Sequence, residues 1–190
     1  MLTAVIDESS PQRRDGSLVY VMAAVVLDAE DCAAISAELQ TMFSRRRPFH
    51  WEADKGPVVR DRMVNFIIDR QLRLFVAGAS VAVPKQQNRT REVLLHQRLL
   101  PVVSEFDVHQ LCIEARSAAE VNQDLRSIRN WYRDRRLRCP AIEFAGKADP
   151  LTWLADTASG IWADALLGRD RHLPQLIAAG CVEHASTNLP

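Results

Sequence analysis

Glycine is scarce in this chain, 7 residues in 190, and no Gly-rich loop of the phosphate-cradling kind is present. There is no Gly-x-Ser-x-Gly elbow, and no cysteine has an obvious histidine partner. Nucleophilic catalysis by serine or cysteine is therefore poorly supported. The 4 cysteines, Cys32, Cys112, Cys139 and Cys181, form no Cys-x-x-Cys pair and lack a histidine at zinc-like spacing. We expect free thiols in a reducing cytosol rather than disulfides or zinc. Charge of one sign is lacking too: 24 Lys and Arg balance 24 Asp and Glu. A neutral sum does not mark a nucleic-acid binder, and only local clustering of basic residues could supply that surface. The longest apolar run, Leu18 to Leu27, falls far short of the ~20 residues a spanning helix needs. The N-terminus enters a strand at once and reaches an acidic pair, unlike a signal peptide. The expectation is a soluble cytoplasmic protein without a membrane partner.

What is present suits one globular domain: 47% hydrophobic and 25% charged residues over a length that can bury a substantial core. Thr3 to Ile6 is a short β-branched stretch that stops at Asp7-Glu8-Ser9-Ser10. A polar turn from Pro11 to Gly16 separates it from Leu18 to Leu27, a Val-rich run without alternation. Such a run fits a strand covered on both faces, and the two segments could form a hairpin. Asp28 is a candidate cap for a helix carrying Ile35, Leu39, Met42 and Phe43. Pro57 starts a second helix, Leu72 to Val83 is a third strand ended by Pro84, and a helix from about Gln86 to Phe106 is expected to kink at Pro101.

Val108 to Ile113 reads as a fourth strand, Ala118 to Leu137 as a long polar helix, and Ala141 to Ala145 as a fifth strand. Asp149 and Pro150 together signal the start of a last helix, with Leu151, Leu154, Ala155, Ala158, Trp162, Ala165 and Leu166 on one apolar stripe. Gly168 ends it. The order of elements argues for an α/β fold, a mixed sheet with helices on its faces, whose sites lie beyond strand ends. We expect the domain over residues 1–168 and a loosely packed C-terminal tail over 169–190, with a short helix near Leu173 to Ala179.

Three acidic positions stand out. Asp7, with Glu8, follows the first strand; Glu114 follows the fourth; Asp156 lies in the last helix, one turn before Gly160. Carboxylates at neighbouring strand ends can converge, and their mutual repulsion becomes favourable when a hard divalent cation neutralises it. Asp124 is a candidate further ligand, and Asp149 a weaker one because capping already explains it. Each also has an ordinary reading as a solvated turn or cap residue. Asp156 stands about 140° from the middle of the apolar stripe at ~100° per residue. Its neighbours Trp153, Gly160 and Ile161 make that side apolar, which suggests a covered position. Gly160 costs the helix ~1 kcal/mol relative to Ala, so it signals close approach to another element.

Basic residues do cluster. Arg126, Arg129, Arg133 and Arg136 share a helix face, and Arg45, Arg46 and Arg47 form a second run. They suit phosphates, or simply a solvated face interleaved with Asp124 and Asp134. Phe49-His50-Trp51-Glu52 could present Trp51 to a stacking base and His50 as a proton donor, and His50 could equally be a packed core histidine.

The string Ala4-Val-Ile-Asp-Glu-Ser9, followed by Tyr20-Val-Met-Ala-Ala-Val-Val26, resembles the start of a bacterial family known as domain of unknown function 3800. Asp149 to Gly160, Phe49-His50-Trp51 and Ile113-Glu-Ala-Arg116 are similar to further segments of that family, so the resemblance spans roughly residues 4 to 167. A departure lies at Asp-Glu-Ser-Ser10, where the family's usual glycine is a serine. The resemblance implies a ribonuclease H-like, resolvase-type fold with an acidic metal site. Asp7 would be its first-strand aspartate, Glu114 its central-strand glutamate and Asp156 its last-helix aspartate. The leading expectation is hydrolysis of a nucleic-acid phosphodiester, DNA or RNA, with Mg²⁺ or Mn²⁺ held by Asp7, Glu114 and Asp156. Asp124 or Glu8 would assist, and His50 and Arg116 would orient water or phosphate. The alternative is a non-catalytic scaffold of the same fold that binds a protein or nucleic-acid partner, of the toxin or phage-defence type. A third reading is a phosphohydrolase of small phosphate esters.

Overall fold

The computed structural model describes residues 1–13, 15–43, 48–81 and 86–188, the stretch 184–188 by its backbone. The basic run Arg45 to Arg47, and Val83 and Pro84 at the expected end of the third strand, lie outside the described residues.

β1 (Leu2–Ser9) and β2 (Leu18–Asp28) form the expected antiparallel hairpin, and β3 (Arg73–Val81) adds antiparallel to β2. β4 (Val108–Glu114) lies parallel to β1, and β5 (Ala141–Ala145) parallel to β4. β6 (Val182–Asn188) lies parallel to β3, giving the strand order β5-β4-β1-β2-β3-β6.

The central strands are continuously apolar because both faces are covered. Val19, Val21, Ala23, Val25 and Leu27 of β2 join one core with α1 (Cys32–Met42), α2 (Pro57–Asp69) and α6 (Pro150–Leu166). Tyr20, Met22, Ala24 and Val26 join the other, with α3 (Gln87–Leu94), α4 (Leu100–Ser104) and α5 (Ala118–Asp134). A period of two thus feeds two separate cores.

The helix expected to kink at Pro101 is irregular just before it. A π turn over Leu95–Leu99 links α3 and α4, and the Leu100 N–H reaches back to the Leu95 carbonyl. Pro101 has no N–H to give and its ring crowds the preceding turn, so the helix widens there. α6 begins as its sequence signals: Asp149 Oδ1 accepts the Leu151 N–H at 3.0 Å, and Pro150 takes the first position.

Three expectations need correction. Asp28 does not cap α1; it is the last residue of β2, and the helix starts a turn later behind Asp31. Its carbonyl instead accepts the Asp31 N–H at 3.0 Å and closes the intervening turn. α6 is not buried along one stripe: every residue from Thr152 to Asp164 is buried, because the sheet, α1, α2 and the segment before α2 enclose it. The C-terminal segment holds the expected short helix, α7 (Leu173–Ala178), but is not a loose tail beyond it, because it adds the strand β6. The outer edge of β3 offers unpaired backbone groups, and β6 satisfies them, starting with Leu74 N–H to the Cys181 carbonyl at 2.8 Å. Among the described residues, no helix is long and apolar enough to cross a membrane.

Candidate active site

Strand register decides which acidic residues meet. Ile6 of β1 pairs with Ile113 of β4, and both side chains enter the core beneath α3 to α5. The next residue on each strand, Asp7 and Glu114, therefore points to the opposite face. That face is covered by α6, which carries Asp156. Residues far apart in sequence so line one cavity of about 320 Å³: Asp7, Glu114 and Asp156, with His50, Arg116 and Lys147 at its walls.

The carboxylates sit in a poorly solvated place. Asp7 is 6% exposed and Asp156 8% exposed. Burial, then the charges of Asp156 and Glu114, hold the Asp7 carboxyl well above the ordinary carboxylate range. Burial also pushes Asp156 up, to about 6, against the pull of His50 and of the Trp51 N–H, with Glu114 adding to the rise. Among the described residues no basic side chain forms an ion pair with Asp7. Glu114 faces the Lys147 ammonium at 3.4 Å, and Asp156 Oδ1 lies 3.9 Å from His50 Nδ1. His50 Nδ1 is buried without a hydrogen-bond partner, although its side chain is 43% exposed.

Hard oxygen donors, excess negative charge and desolvation fit a divalent cation in donor chemistry. Among the described residues, no three acidic, His or Cys side chains stand close enough together to hold an ion as they are placed. Asp7, Glu114 and Asp156 nonetheless line the same cavity.

Glu8, one residue beyond Asp7, turns to the other face and meets Arg91 of α3 in a close ion pair. Arg91 also grips Asp124 of α5 with two bonds, at 2.7 and 3.0 Å, and Arg116 adds two more at 3.2 and 3.1 Å. Burial opposes the charge on Arg91, but Glu8 and Asp124 outweigh it. The expectation that Asp124 would join an ion's ligands is corrected here: two guanidinium groups take its charge, and it does not line the cavity. Glu8 does line it, with its charge met by Arg91.

Trp51 is a second correction. It is 1% exposed and packs against Gly160 of α6, so it offers no face to a base. Arg126, Arg129 and Arg133 stand exposed on α5, and none lines the cavity. Arg133 pairs with its neighbour Asp134. The basic stripe is a solvated face in this structure. Sequence reading missed Arg91 and Lys147. Arg91 precedes Leu94 and Leu95 by three and four residues, a spacing that turns it inward. Lys147 follows the turn glycine at the end of β5 and gave no such signal.

No protein-family model and no curated protein sequence matches the chain. Solved structures do match. Ribonuclease HII from Archaeoglobus fulgidus, solved in its complex with PCNA, is similar with a TM-score of 0.52 at 16% identity, over 95% of this chain and 90% of that one. A mutant protein of Bst-RNase HIII gives 0.51 at 16% identity, over 93% of this chain and 54% of that one. Bst-RNase HIII in complex with Mn²⁺ gives 0.50 at 16% identity, over 94% and 55%. The chain thus spans about half the length of the RNase HIII chains. At such identities the likeness concerns architecture, and it agrees with the sheet order and flanking helices described above: this is an α/β protein of ribonuclease H-like fold.

Proposed function

We infer that this chain is a divalent-cation-dependent nuclease that hydrolyses nucleic-acid phosphodiesters, and that it belongs to domain-of-unknown-function family 3800. The observation that carries the reading is the convergence of Asp7, Glu114 and Asp156 from β1, β4 and α6 on one cavity, two of them buried with raised pKa values. Buried like charges cost stability unless they serve a ligand, and perturbed carboxylates in a cleft are characteristic of functional sites.

Asp7, Glu114 and Asp156 would hold Mg²⁺ or Mn²⁺. When bound, such an ion would lower the pKa of a water and stabilise negative charge on the phosphoryl and leaving oxygens. The chain's own groups supply the rest. Arg116 lines the cavity with its terminal nitrogens on Glu120 and Asp124, and its Nε–H, which has no partner among the described residues, can fix a phosphate oxygen. Lys147, mostly exposed, can leave Glu114 for a phosphate of an arriving strand. His50 stands at the mouth with Nδ1 towards Asp156, so that Nε2 can pass a proton to the leaving oxygen. Glu8, paired with Arg91, lines the same cavity.

The test is cleavage of labelled DNA, RNA and hybrid oligonucleotides by the full chain, with EDTA, Mg²⁺ or Mn²⁺. We expect cation-dependent cleavage that Asp7→Asn and Asp156→Asn each abolish while the fold persists. Cleavage unchanged in both variants refutes the reading. Hydrolysis of mononucleotide esters with oligonucleotides untouched replaces it with a small-molecule phosphohydrolase.

A further inference from the structure

The segment between α1 and α2 makes a set of contacts that the proposed chemistry does not use. Phe49 anchors one end in an aromatic cluster, 5.2 Å from Phe43 and 6.5 Å from Trp153 between ring centroids. The Asp54 carboxylate closes the turn by accepting the His50 N–H at 3.0 Å. Between these anchors Trp51 packs against Gly160, the one position on α6 without a side chain to bar the indole.

Trp51 is held from four sides. Its indole N–H donates to Asp164 Oδ2 at 2.9 Å. The Arg60 guanidinium stacks over its ring at 4.2 Å, and the His172 ring meets its edge at 5.4 Å. Arg60 also donates to the Trp51 carbonyl at 2.7 Å, to Asp164 at 3.2 Å and to the Asp54 carbonyl at 3.2 Å. The backbone N–H of this immobilised residue donates to Asp156 Oδ2 at 2.6 Å. One oxygen of Asp156 is thus fixed by the strap, and the other, Oδ1, is left on the His50 side of the cavity.

We propose that residues 49–54 form a positioning strap for Asp156, and that Arg60 and Asp164, which do not line the cavity, are positioning residues that act on it through Trp51. The proposal rests on the reading of Asp156 as a cation ligand and adds how that ligand is aimed. An acidic side chain in a self-repelling cluster swings away unless something holds it, and groups behind a ligand commonly set ion affinity. Arg60 suits the task because its planar fork serves three acceptors at once while stacking on the indole, which a lysine cannot do.

The test uses the full chain labelled with ¹⁵N, and Mn²⁺ as the probe. The Trp51 amide proton is expected downfield, as a donor to a carboxylate, and Asp156→Asn moves it upfield and sets the scale. Arg60→Lys is expected to move the same resonance in the same direction, and to lower Mn²⁺ affinity ~10-fold or more. Turnover should fall chiefly in kcat, since substrate contacts are untouched. Asp164→Asn serves as the second variant should Arg60→Lys not fold, with the same expected outcome. An unmoved Trp51 amide in the folded variants overturns the strap. So does a moved amide with wild-type Mn²⁺ affinity. Wild-type protein that takes up no Mn²⁺ sinks the nuclease reading instead, and the amide resonance then decides alone whether the strap fixes Asp156.

Discussion

Gly160→Ala tests the packing behind the site by the sign of its effect. In an open helix interior this change stabilises a protein by up to ~1 kcal/mol, because alanine is the better helix former. Here a Cβ at position 160 would stand 2.5 Å from Trp51 Cγ and 2.9 Å from Trp51 Cβ. The opposing atoms are rooted at the backbone and cannot rotate clear. Trp51 cannot withdraw as a unit without giving up its bonds to Asp156 and Asp164 and the Arg60 stack. Overpacking costs about 1–3 kcal/mol, and a buried carboxylate stripped of its donor about 1–3 kcal/mol more. The helix gain offsets only part of this, so a net loss of about 1 kcal/mol or more is expected. For a domain of this size that lowers Tm by roughly 2–4 °C or more. Thermal and urea unfolding, followed by circular dichroism, measure it directly. A Tm equal to or above the wild-type value refutes the reasoning.

Further outcomes follow from the same charges. Asp7→Asn removes a buried carboxylate with no basic partner among the described residues, so without divalent cations it should raise stability at pH 7 by about 1–3 kcal/mol; a lower Tm contradicts this. Raised carboxyl pKa values make the folded state bind protons more tightly than the unfolded chain. Their contribution is therefore fully present below the unfolded value near 3.8 and is lost as pH rises through about 6 at Asp156. The stability difference between wild type and Asp156→Asn should shift by about 2 kcal/mol between pH 4 and pH 7, with the wild type relatively weaker at the higher pH; a flat difference refutes it. Arg91→Met strips Glu8 of its partner and leaves Asp124 with Arg116 alone, and should cost about 3–5 kcal/mol in urea unfolding. A loss below about 1 kcal/mol would show that water or Arg116 takes over both carboxylates.

Features that depend on near neighbours in the chain were legible in the sequence. Asp149 and Pro150 start α6 where their chemistry requires, Pro101 disturbs its helix, and the unbroken apolar run of β2 is covered on both faces. Two subtler signals also carried. Asp156 among apolar neighbours is indeed covered, and Gly160 marks a close approach, here by Trp51. What escaped are pairings over long sequence separations. Nothing in the neighbourhood of Asp124 announces that Arg91 and Arg116 will take its charge, or that Glu8 leaves the sheet on the face opposite Asp7. Trp51, next to a histidine and a glutamate, resembled an exposed aromatic because its seat is supplied by a helix more than a hundred residues later. The weak periodicity after Gly168 concealed β6, which is held by ladder bonds to the edge of β3 rather than by an amphipathic pattern of its own.

The central claim is that Asp7, Glu114 and Asp156 share a divalent cation. A crystal of the full chain soaked in Mn²⁺, with data collected at the manganese absorption edge, tests it most directly. The account predicts an anomalous peak within about 2.0–2.4 Å of carboxylate oxygens from all three residues, absent from the Asp7→Asn protein. A saturated soak with no peak in the cavity, or a peak held only by surface carboxylates elsewhere, would contradict it.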